Sequence, residues 1–400
     1  MLLLQTFLLL LIAILFVPVA VLLLQVLSAV FAKHFWHFKT VKYAGVRPSV
    51  AIIIPAHNEA LGISATLNSL MPQLTKGDRL IVVADNCNDK TAEVARSHGA
   101  EVLERTNLDL RGKGYALDHA IQFLKANPPQ IAMIIDADCV ASANLVEVLA
   151  HQCMQTQKPI QANYSMHFPS ADSLKKKIME FAWVMKNKVR PSGYQRLGLP
   201  CQLMGTGMAF VWQDLAQSQL ASSHLVEDMK LGLDLARAGK APQYCAEASV
   251  TSLFPMSEEG VASQRARWEH GHLGVIVEEA PKLIMQAIKT GNIKLMMMGL
   301  ELIVPPLALL MLLVLGLCVL SFVYFVVSTN VLPFSLTLVL LAALGLSTLL
   351  AWNSFATHIL SFKDLLGAPF ILLAKIPLYI KFLVNRQVDW VRSKRDNTDA

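Results

Sequence analysis

Charged side chains are missing from two long stretches of this sequence. No Asp, Glu, Lys or Arg occurs from Met1 to Ala32, and none occurs from Leu302 to Phe362. Over the whole chain, 16% of the residues are charged and 54% are hydrophobic. This composition excludes an ordinary soluble protein and indicates membrane segments.

The two uncharged stretches predict three membrane spans. The first lacks a basic start and exceeds the ~7–15 apolar residues of a signal peptide, so we expect an uncleaved anchor. The second fits two spans of ~20–25 residues, with a turn at residues 328–333. Residues 365–384 carry Lys375 and Lys381, so we expect an interfacial or re-entrant segment there rather than a fourth span.

The sequence also lacks cysteine motifs and a large excess of basic over acidic residues. The six cysteines form no C-x-x-C pair, so neither a zinc site nor a disulfide framework is predicted. The net charge of +6 is modest and does not indicate nucleic-acid binding.

Basic residues flank the apolar stretches and predict the orientation of the chain. They are Lys33, Lys39, Lys42 and Arg47 after the first stretch, and Arg386, Arg392, Lys394 and Arg395 near the C-terminus. Because basic flanks stay inside, the central region and the tail are expected in the cytoplasm. The expected domains are an anchor over 1–32, a cytoplasmic domain over 33–294, two transmembrane helices over 295–362, and an interfacial or re-entrant segment with a basic cytoplasmic tail over 363–400.

Strand and helix patterns alternate in the central region. Apolar runs predict strands over 49–55, 80–84, 101–104 and 131–135, and helical spacing predicts helices over 61–74, 91–97 and 114–125. This alternation predicts a parallel sheet with right-handed crossovers, as in a Rossmann-like nucleotide-binding half.

Three of these strands end in turns that carry carboxylates, namely Glu59, Asp85 and the pair Asp136 and Asp138. Ligands bind at the carboxyl ends of such strands, so we expect the acids to converge on one edge. In a continuing strand, Asp136 and Asp138 would point to the same side. Two carboxylates suit Mg²⁺ or Mn²⁺ with a phosphate completing the shell; the alternative is a strand-end acid pair that caps a helix.

Other polar motifs leave two interpretations each. Arg111-Gly112-Lys113-Gly114 precedes a helix and predicts either a phosphate-binding turn or a plain basic turn. Residues 172–190 mix lysines with apolar side chains, which predicts a helix on a membrane surface or a helix packed on the sheet with a solvated lysine face. Glu227 and Asp228 form a further acidic pair, and residues 264–272 combine an amide, cations, an indole and two imidazoles.

In this order, the motifs resemble the inverting family 2 glycosyltransferases with a GT-A fold, and within them the cellulose-synthase-like branch of exopolysaccharide biosynthesis. The motifs are Pro55-Ala56-His57-Asn58-Glu59, residues 84–89, residues 111–117, Asp136-Ala137-Asp138, Gly205-Thr206-Gly207-Met208, Glu227-Asp228 and Gln264-Arg265-Ala266-Arg267-Trp268. The resemblance implies an α/β GT-A domain with a Rossmann-like mixed sheet, attached to transmembrane helices in a bacterial inner membrane. It implies a nucleotide-diphosphate sugar donor, with UDP-sugars as the first candidate, a lipid-linked or glycan acceptor, and export or assembly partners.

The resemblance also implies roles for single residues. For the donor these are Glu59 and Asp85 at the nucleotide base and ribose, Lys113 as an assisting cation, Asp136 at the sugar and Asp138 as the ligand of Mg²⁺ or Mn²⁺. Asp228, with Glu227 beside it, matches the general base. Gln264, Arg267 and Trp268 match the Q-x-x-R-W element for the acceptor and the diphosphate.

Two alternatives remain open at this point. One is a glycolipid synthase that uses ceramide or diacylglycerol, and the other is a non-catalytic membrane scaffold that binds nucleotide sugars. A candidate base beside a complete D-x-D favours an enzyme over the scaffold. Because three spans make a poor self-contained channel, we expect addition of single sugars or short chains rather than export of a polymer.

Overall fold

The computed structural model describes residues 1–31, 45–222 and 226–384 of the chain, without the side chains of Leu383 and Val384. Of the basic residues that predict the orientation, Arg47 is described and the others lie outside these ranges. The orientation therefore stays a prediction.

The chain divides into two compact units. The sheet unit comprises the described residues within 39–169 and 200–271, and the helical unit comprises those within 1–38, 170–199 and 272–386. The domain boundaries expected from the sequence stay a prediction.

The sheet unit is built on one sheet of eight strands. The strands are β1 (Val50–Ala56), β2 (Arg79–Asp85), β3 (Glu101–Arg105), β4 (Ile131–Ile134), β5 (Val140–Ala141), β6 (Ile160–His167), β7 (Met208–Val211) and β8 (Gln243–Leu253). Their order in the sheet is β3-β2-β1-β4-β7-β6-β8-β5.

The first half of the sheet is parallel and the second half is mixed. Strands β3, β2, β1 and β4 run parallel, which confirms the predicted parallel pairing of these strands. Strand β7 pairs antiparallel with both β4 and β6, whereas β6 and β8 are parallel and β5 pairs antiparallel with β8. The predicted α/β fold with a mixed sheet is therefore confirmed.

Helices of the sheet unit cover the sheet with their apolar sides. They are α2 (Ile63–Leu70), α3 (Thr91–Ser97), α4 (Lys113–Leu124), α5 (Leu145–Thr156), α8 (Trp212–Ala216) and α9 (Glu227–Arg237). In α4, Leu117, Ile121 and Leu124 recur at helical spacing and pack into one core with Ile53 and Ile81 of the sheet. This packing fixes the start of α4 at the carboxyl edge of the parallel strands.

The helical unit contains the three long apolar helices. Its helices are α1 (Leu2–Phe31), α6 (Leu174–Val184), α7 (Arg190–Arg196) after a π-helical turn at Met185–Val189, α11 (Ile293–Leu302), α12 (Leu307–Ser328), α13 (Leu332–Phe355), α14 (Phe362–Leu366), α15 (Ala368–Leu373) and α16 (Ile376–Val384). The long helix α10 (Glu258–Thr290) runs from one unit into the other. By length and composition, α1, α12 and α13 can each cross a membrane, which confirms the three predicted apolar helices.

A buried arginine connects helices within the helical unit. Arg190 donates hydrogen bonds to the side-chain oxygen of Gln25 at 3.0 Å and to the carbonyl oxygen of Glu301 at 2.9 Å. Helices α1 and α7 approach backbone to backbone, since a Cβ added to Gly193 would lie 1.9 Å from the carbonyl oxygen of Gln25. The glycine is therefore required for this crossing.

Candidate active site

The acidic pair follows β4 on a turn rather than on the strand. Strand β4 ends at Ile134, and the N–H of Cys139 donates to the carbonyl oxygen of Asp136 at 3.2 Å. The hydroxyl of Thr66 donates to the carbonyl oxygen of Ala137 at 2.8 Å. Strand β4 therefore does not continue through the pair, because the chain turns at Ala137 and Asp138, so the condition under which both carboxylates would point to the same side is not met. The turn still places them at the carboxyl end of β4.

Lys113 connects this acidic turn to a second loop. Its ammonium donates to the carboxylate of Asp136 and, at 2.7 Å, to the carbonyl oxygen of Gly205. Lys113 is the first residue of α4, and Gly112 before it has a φ of +127°, a conformation that favours glycine. The glycine-rich turn thus delivers a cation to the acidic turn.

Gly114 has a packing role in the same turn. A Cβ at this position would lie 2.3 Å from the carbonyl oxygen of Leu220 and 2.7 Å from that of Ser222. The backbone leading toward α9 therefore passes directly against α4, which only a glycine permits.

Hydrogen bonds from Gln161, a residue not predicted from the sequence, fix the loop around Gly205. The buried amide of Gln161 donates to the carbonyl oxygen of Thr206 at 2.8 Å and accepts from the N–H of Met204 at 2.7 Å. The hydroxyl of Thr206 accepts from the N–H of Asp136 at 3.0 Å. A polar side chain inside a strand without an apolar run gave no sequence signal of this role.

Helix α9 brings the second acidic pair to the same place. Glu227 and Asp228 are its first two residues, where the helix dipole favours negative charge. A Cβ on Gly205 would lie 3.4 Å from a carboxylate oxygen of Asp228 and 3.7 Å from the ammonium of Lys113. Asp136, Lys113 and the α9 acids thus form one cluster.

Electrostatics distinguish the members of this cluster. Burial raises the pKa of Glu227 to about 7, against the opposing effect of Lys113 and with a contribution from Asp228. Burial also raises the pKa of Asp136, again opposed by the charge of Lys113. For Lys113, burial lowers the pKa, but the carboxylates of Asp136, Glu227 and Asp228 outweigh it and the pKa is raised overall. Lys113 therefore stays charged.

A second group of polar residues lies at the ends of β2 and β3. The buried carboxylate of Asp85 accepts a hydrogen bond from the guanidinium of Arg105 at 2.6 Å. Arg105 lies over the ring of Tyr115, 5.6 Å from its centroid. Glu59 is buried at the end of β1, and its N–H donates to the hydroxyl of Thr91 at 2.7 Å. Arg105 belongs to none of the motifs in the sequence, although it lies one residue beyond the predicted third strand and therefore at the correct edge of the sheet.

The Q-x-x-R-W residues occupy one face of a helix. Gln264, Arg267 and Trp268 lie on α10 at positions i, i+3 and i+4 and are partly buried. Their neighbours Arg265 and Glu269 form an ion pair at 3.1 Å. The role of these three residues stays a prediction.

The acidic turn fits a divalent metal that is shared with a substrate. Among the described residues, no three His, Cys, Asp or Glu side chains form a metal-holding group. Mg²⁺ in phosphate-transfer sites is, however, bound by one or two carboxylates plus substrate phosphates and water. The carboxylates of Asp136, Glu227 and Asp228 act on the ammonium of Lys113, and Asp138 acts on Asp136. Such a cluster would repel a diphosphate unless a cation accompanied it, so the donor set fits Mg²⁺ or Mn²⁺.

Comparison with solved structures agrees with the fold. A mannosyltransferase from Pyrobaculum calidifontis, solved in complex with GDP-Man and Mn²⁺, has a TM-score of 0.54 at 16% sequence identity, over 94% of this chain and 100% of that chain. At this identity the likeness shows a shared fold, the predicted GT-A fold with attached helices. Glucosyl-3-phosphoglycerate synthase from Mycobacterium tuberculosis has a TM-score of 0.37 at 19% identity, over 59% of this chain and 84% of that one, too low to support an argument.

Residues 48–271 match the family described as "Glycosyltransferase like family 2". The match covers more than half of the 400 residues, and the chain belongs to this family. The 4,4'-diaponeurosporenoate glycosyltransferase of Staphylococcus aureus is 44% identical over 72 residues, which are 18% of this chain and 19% of that protein. The chain thus matches about a fifth of the length of its curated relatives. The predicted enzyme class, glycosyltransferase, is confirmed.

Proposed function

We propose that this chain transfers a sugar, with inversion, from a nucleotide-diphosphate sugar to an acceptor held at the membrane. The observation that carries the proposal is the cluster in which Lys113 lies between Asp136 and the two acids of α9. This cluster combines a candidate metal and donor site with a candidate base at one edge of the sheet. Inversion by direct displacement requires a base near the donor and no covalent nucleophile.

Asp138 would hold the metal together with the diphosphate of the donor, and Asp136 would face the donor sugar. When bound, Mg²⁺ or Mn²⁺ supplies positive charge that stabilises the departing diphosphate. The mannosyltransferase of similar fold was solved with GDP-Man and Mn²⁺, which supports this class of donor and metal. Asp85 and Glu59 lie at the ends of the neighbouring strands, where the nucleoside would bind.

Asp228 is the residue that we assign as general base. It is the second residue of the Glu227-Asp228 pair that matches the family's general base, and its carboxylate lies close to Gly205 and the ammonium of Lys113. Asp228 would accept the proton of the attacking acceptor hydroxyl as the bond to the anomeric carbon forms. A positioned base of this kind contributes roughly 10²–10⁴-fold to rate.

We propose that the acceptor is lipid-linked or a glycan, in exopolysaccharide or cell-surface glycan biosynthesis in a bacterial inner membrane. Three apolar helices in the same chain support an acceptor that is held at a membrane. Gln264, Arg267 and Trp268 would contact the acceptor and the diphosphate. The basic flanks predict a cytoplasmic orientation, in which the nucleotide-sugar donor and the catalytic residues share one compartment. Export of the product across the membrane would then need a partner protein.

The test uses membranes that contain the full-length protein, a panel of UDP- and GDP-sugars, a lipid extract and either Mg²⁺, Mn²⁺ or EDTA. Release of nucleoside diphosphate should require both a divalent metal and the extract, and one donor should be preferred. The mass of the product separates a lipid-linked oligosaccharide from a glycolipid built on ceramide or diacylglycerol. Donor binding without turnover under every condition would instead indicate the non-catalytic scaffold.

A further inference from the structure

The last three described helices carry apolar side chains on their exposed side. We call this set the outer stripe; its members are Phe362, Leu366, Phe370, Leu373, Ile376 and Ile380. They recur every three or four residues along α14, α15 and α16 and therefore lie along one side. Phe370 is 77% exposed and Leu366 is 64% exposed.

The opposite side of the same helices is buried and partly polar. Leu372, Lys375 and Tyr379 recur at the same spacing, and Lys375 is only 9% exposed. A helix on the surface of a soluble protein has the reverse arrangement, with apolar residues inside and lysines outside. The outer stripe therefore indicates an apolar surrounding rather than water.

The segment is connected to the membrane helices of its own unit. Helix α15 packs against α12, one of the three apolar helices, and Leu365 packs against the apolar core that these helices share. The outer stripe is thus continuous with surfaces that lipid is expected to cover. This continuity favours lipid over a protein partner as the occupant.

The segment is too interrupted to cross a bilayer as one helix. Helices α14, α15 and α16 have 5, 6 and 9 residues, whereas a spanning helix needs about 20. The exposed lysines Lys363 and Lys381 are suited to the headgroup region.

Contacts also tie the segment to the basic helix α6. The ammonium of Lys177 and the carboxylate of Asp364 are 3.0 Å apart. A Cβ on Gly367 would lie 2.7 Å from a methyl group of Leu174, so the two backbones approach closely. Whatever holds α14 and α15 in place therefore also holds the start of α6.

We propose that the segment 362–384 is an interfacial strap, whose outer stripe inserts into the polar–apolar boundary of the bilayer and fixes α6 at that level. This refines the expectation of an interfacial or re-entrant segment, since it assigns the face that meets lipid and the helix that the strap positions. The proposal does not depend on the donor, the metal or the acceptor of the proposed reaction.

The test uses the wild-type protein in vesicles of phosphatidylcholine and phosphatidylglycerol. Lipids that carry a photoactivated carbene either near the headgroup or at the end of the acyl chain label the protein, and mass spectrometry locates the labels. The shallow probe should label the outer stripe at least about fivefold more than Leu372 and Tyr379. The deep probe should label Val319 of α12 and Leu346 of α13, with little labelling of the stripe.

Two results would overturn the strap. Stronger labelling of the stripe by the deep probe would mean that the segment enters the hydrocarbon core. An unlabelled stripe beside labelled Val319 would mean that water, a second copy or another protein covers it. As a variant, Phe370→Asp should abolish shallow labelling of Leu366 and Leu373, whereas Leu61→Asp, at an exposed position of the sheet unit, should leave it unchanged.

Discussion

The ammonium of Lys113 and the carboxylate of Asp136 form an ion pair that joins the start of α4 to the turn after β4. The same ammonium reaches the carbonyl oxygen of Gly205 at 2.7 Å. One side chain therefore connects three segments at the edge of the sheet, and its charge offsets part of the charge of the surrounding carboxylates.

Removing the charge of Lys113 should loosen the site. Lys113→Met removes two hydrogen bonds of a charged donor, each worth about 1.5–3 kcal/mol. We expect a lower midpoint of thermal unfolding in detergent and loss of donor binding, with partial recovery in Lys113→Arg. Lys125→Met, at an exposed position just after the same helix, is the control. Equal midpoints for the variant at Lys113 and the control would show that the ion pair has no structural role.

Replacing Gln161 should lower the rate of sugar transfer, although the residue acts through the loop around Gly205. Gln161→Leu leaves the N–H of Met204 and the carbonyl of Thr206 without their buried partner, at a cost of roughly 1–3 kcal/mol for each group. The loop that positions Gly205 should then shift, which lowers kcat more than it raises KM for the donor. Gln122→Leu, on the surface of α4, should leave both constants unchanged. Unchanged kinetics in Gln161→Leu would contradict the positioning role.

Glu227 should make the stability of the metal-free protein depend on pH. Its pKa is raised from 4.5 to about 7 in the folded protein, so the folded state favours the protonated form. The resulting stabilisation is complete below pH 4.5 and is lost as the pH rises to about 7. Glu227→Gln keeps the neutral form at every pH. The free energies of unfolding, measured in EDTA, should therefore agree at pH 4 and favour the variant at pH 8, by on the order of 1 kcal/mol because Glu227 is only partly buried.

The opposite order at pH 8 would contradict the assigned direction of the pKa shift. Equal free energies of unfolding at both pH values would mean that Glu227 is as solvated as an ordinary glutamate.

The crossing of α1 and α7 should tolerate no side chain at Gly193. Gly193→Ala places a Cβ 1.9 Å from the carbonyl oxygen of Gln25, and overpacking of this kind costs about 1–3 kcal/mol. In Gly345→Ala the added Cβ meets nothing within 4 Å, so this control should be neutral or slightly stabilising. Thermal aggregation in detergent compares the two. An unaffected Gly193→Ala protein would show that the helices can separate without loss of stability.

Much of the parallel half of the sheet could be predicted because its strands are continuous apolar runs. The run 131–135 predicts β4 to within one residue, and Thr91–Ser97 is a helix at the predicted bounds. Strands β6 and β8 contain Gln, Asn, Ser and Glu among their apolar residues, so no such run marks them. Strand β7 has only four residues and follows the Gly205–Gly207 turn. Its antiparallel pairing with β4 could therefore not be predicted from a local pattern.

The individual residues of the candidate site could be predicted from the sequence, but the contacts between them could not. Carboxylates at strand ends follow from the topology, and Lys113 and Asp228 follow from their motifs. The hydrogen bond from Lys113 to Gly205 links positions 92 residues apart, and nothing local in the sequence specifies it. The support that Gln161 gives to this loop is likewise a property of the folded sheet.

The central claim is that Asp228 removes the proton of the acceptor in a site where Asp136 and Asp138 hold donor and metal. The most direct measurement compares turnover and donor binding in Asp228→Asn and Asp234→Asn, the second at an exposed position of the same helix. Turnover by Asp228→Asn should fall by roughly 10²–10⁴-fold while its Kd for the donor and metal stays close to that of the wild type. Asp234→Asn should match the wild type in both. Normal turnover by Asp228→Asn would contradict the account.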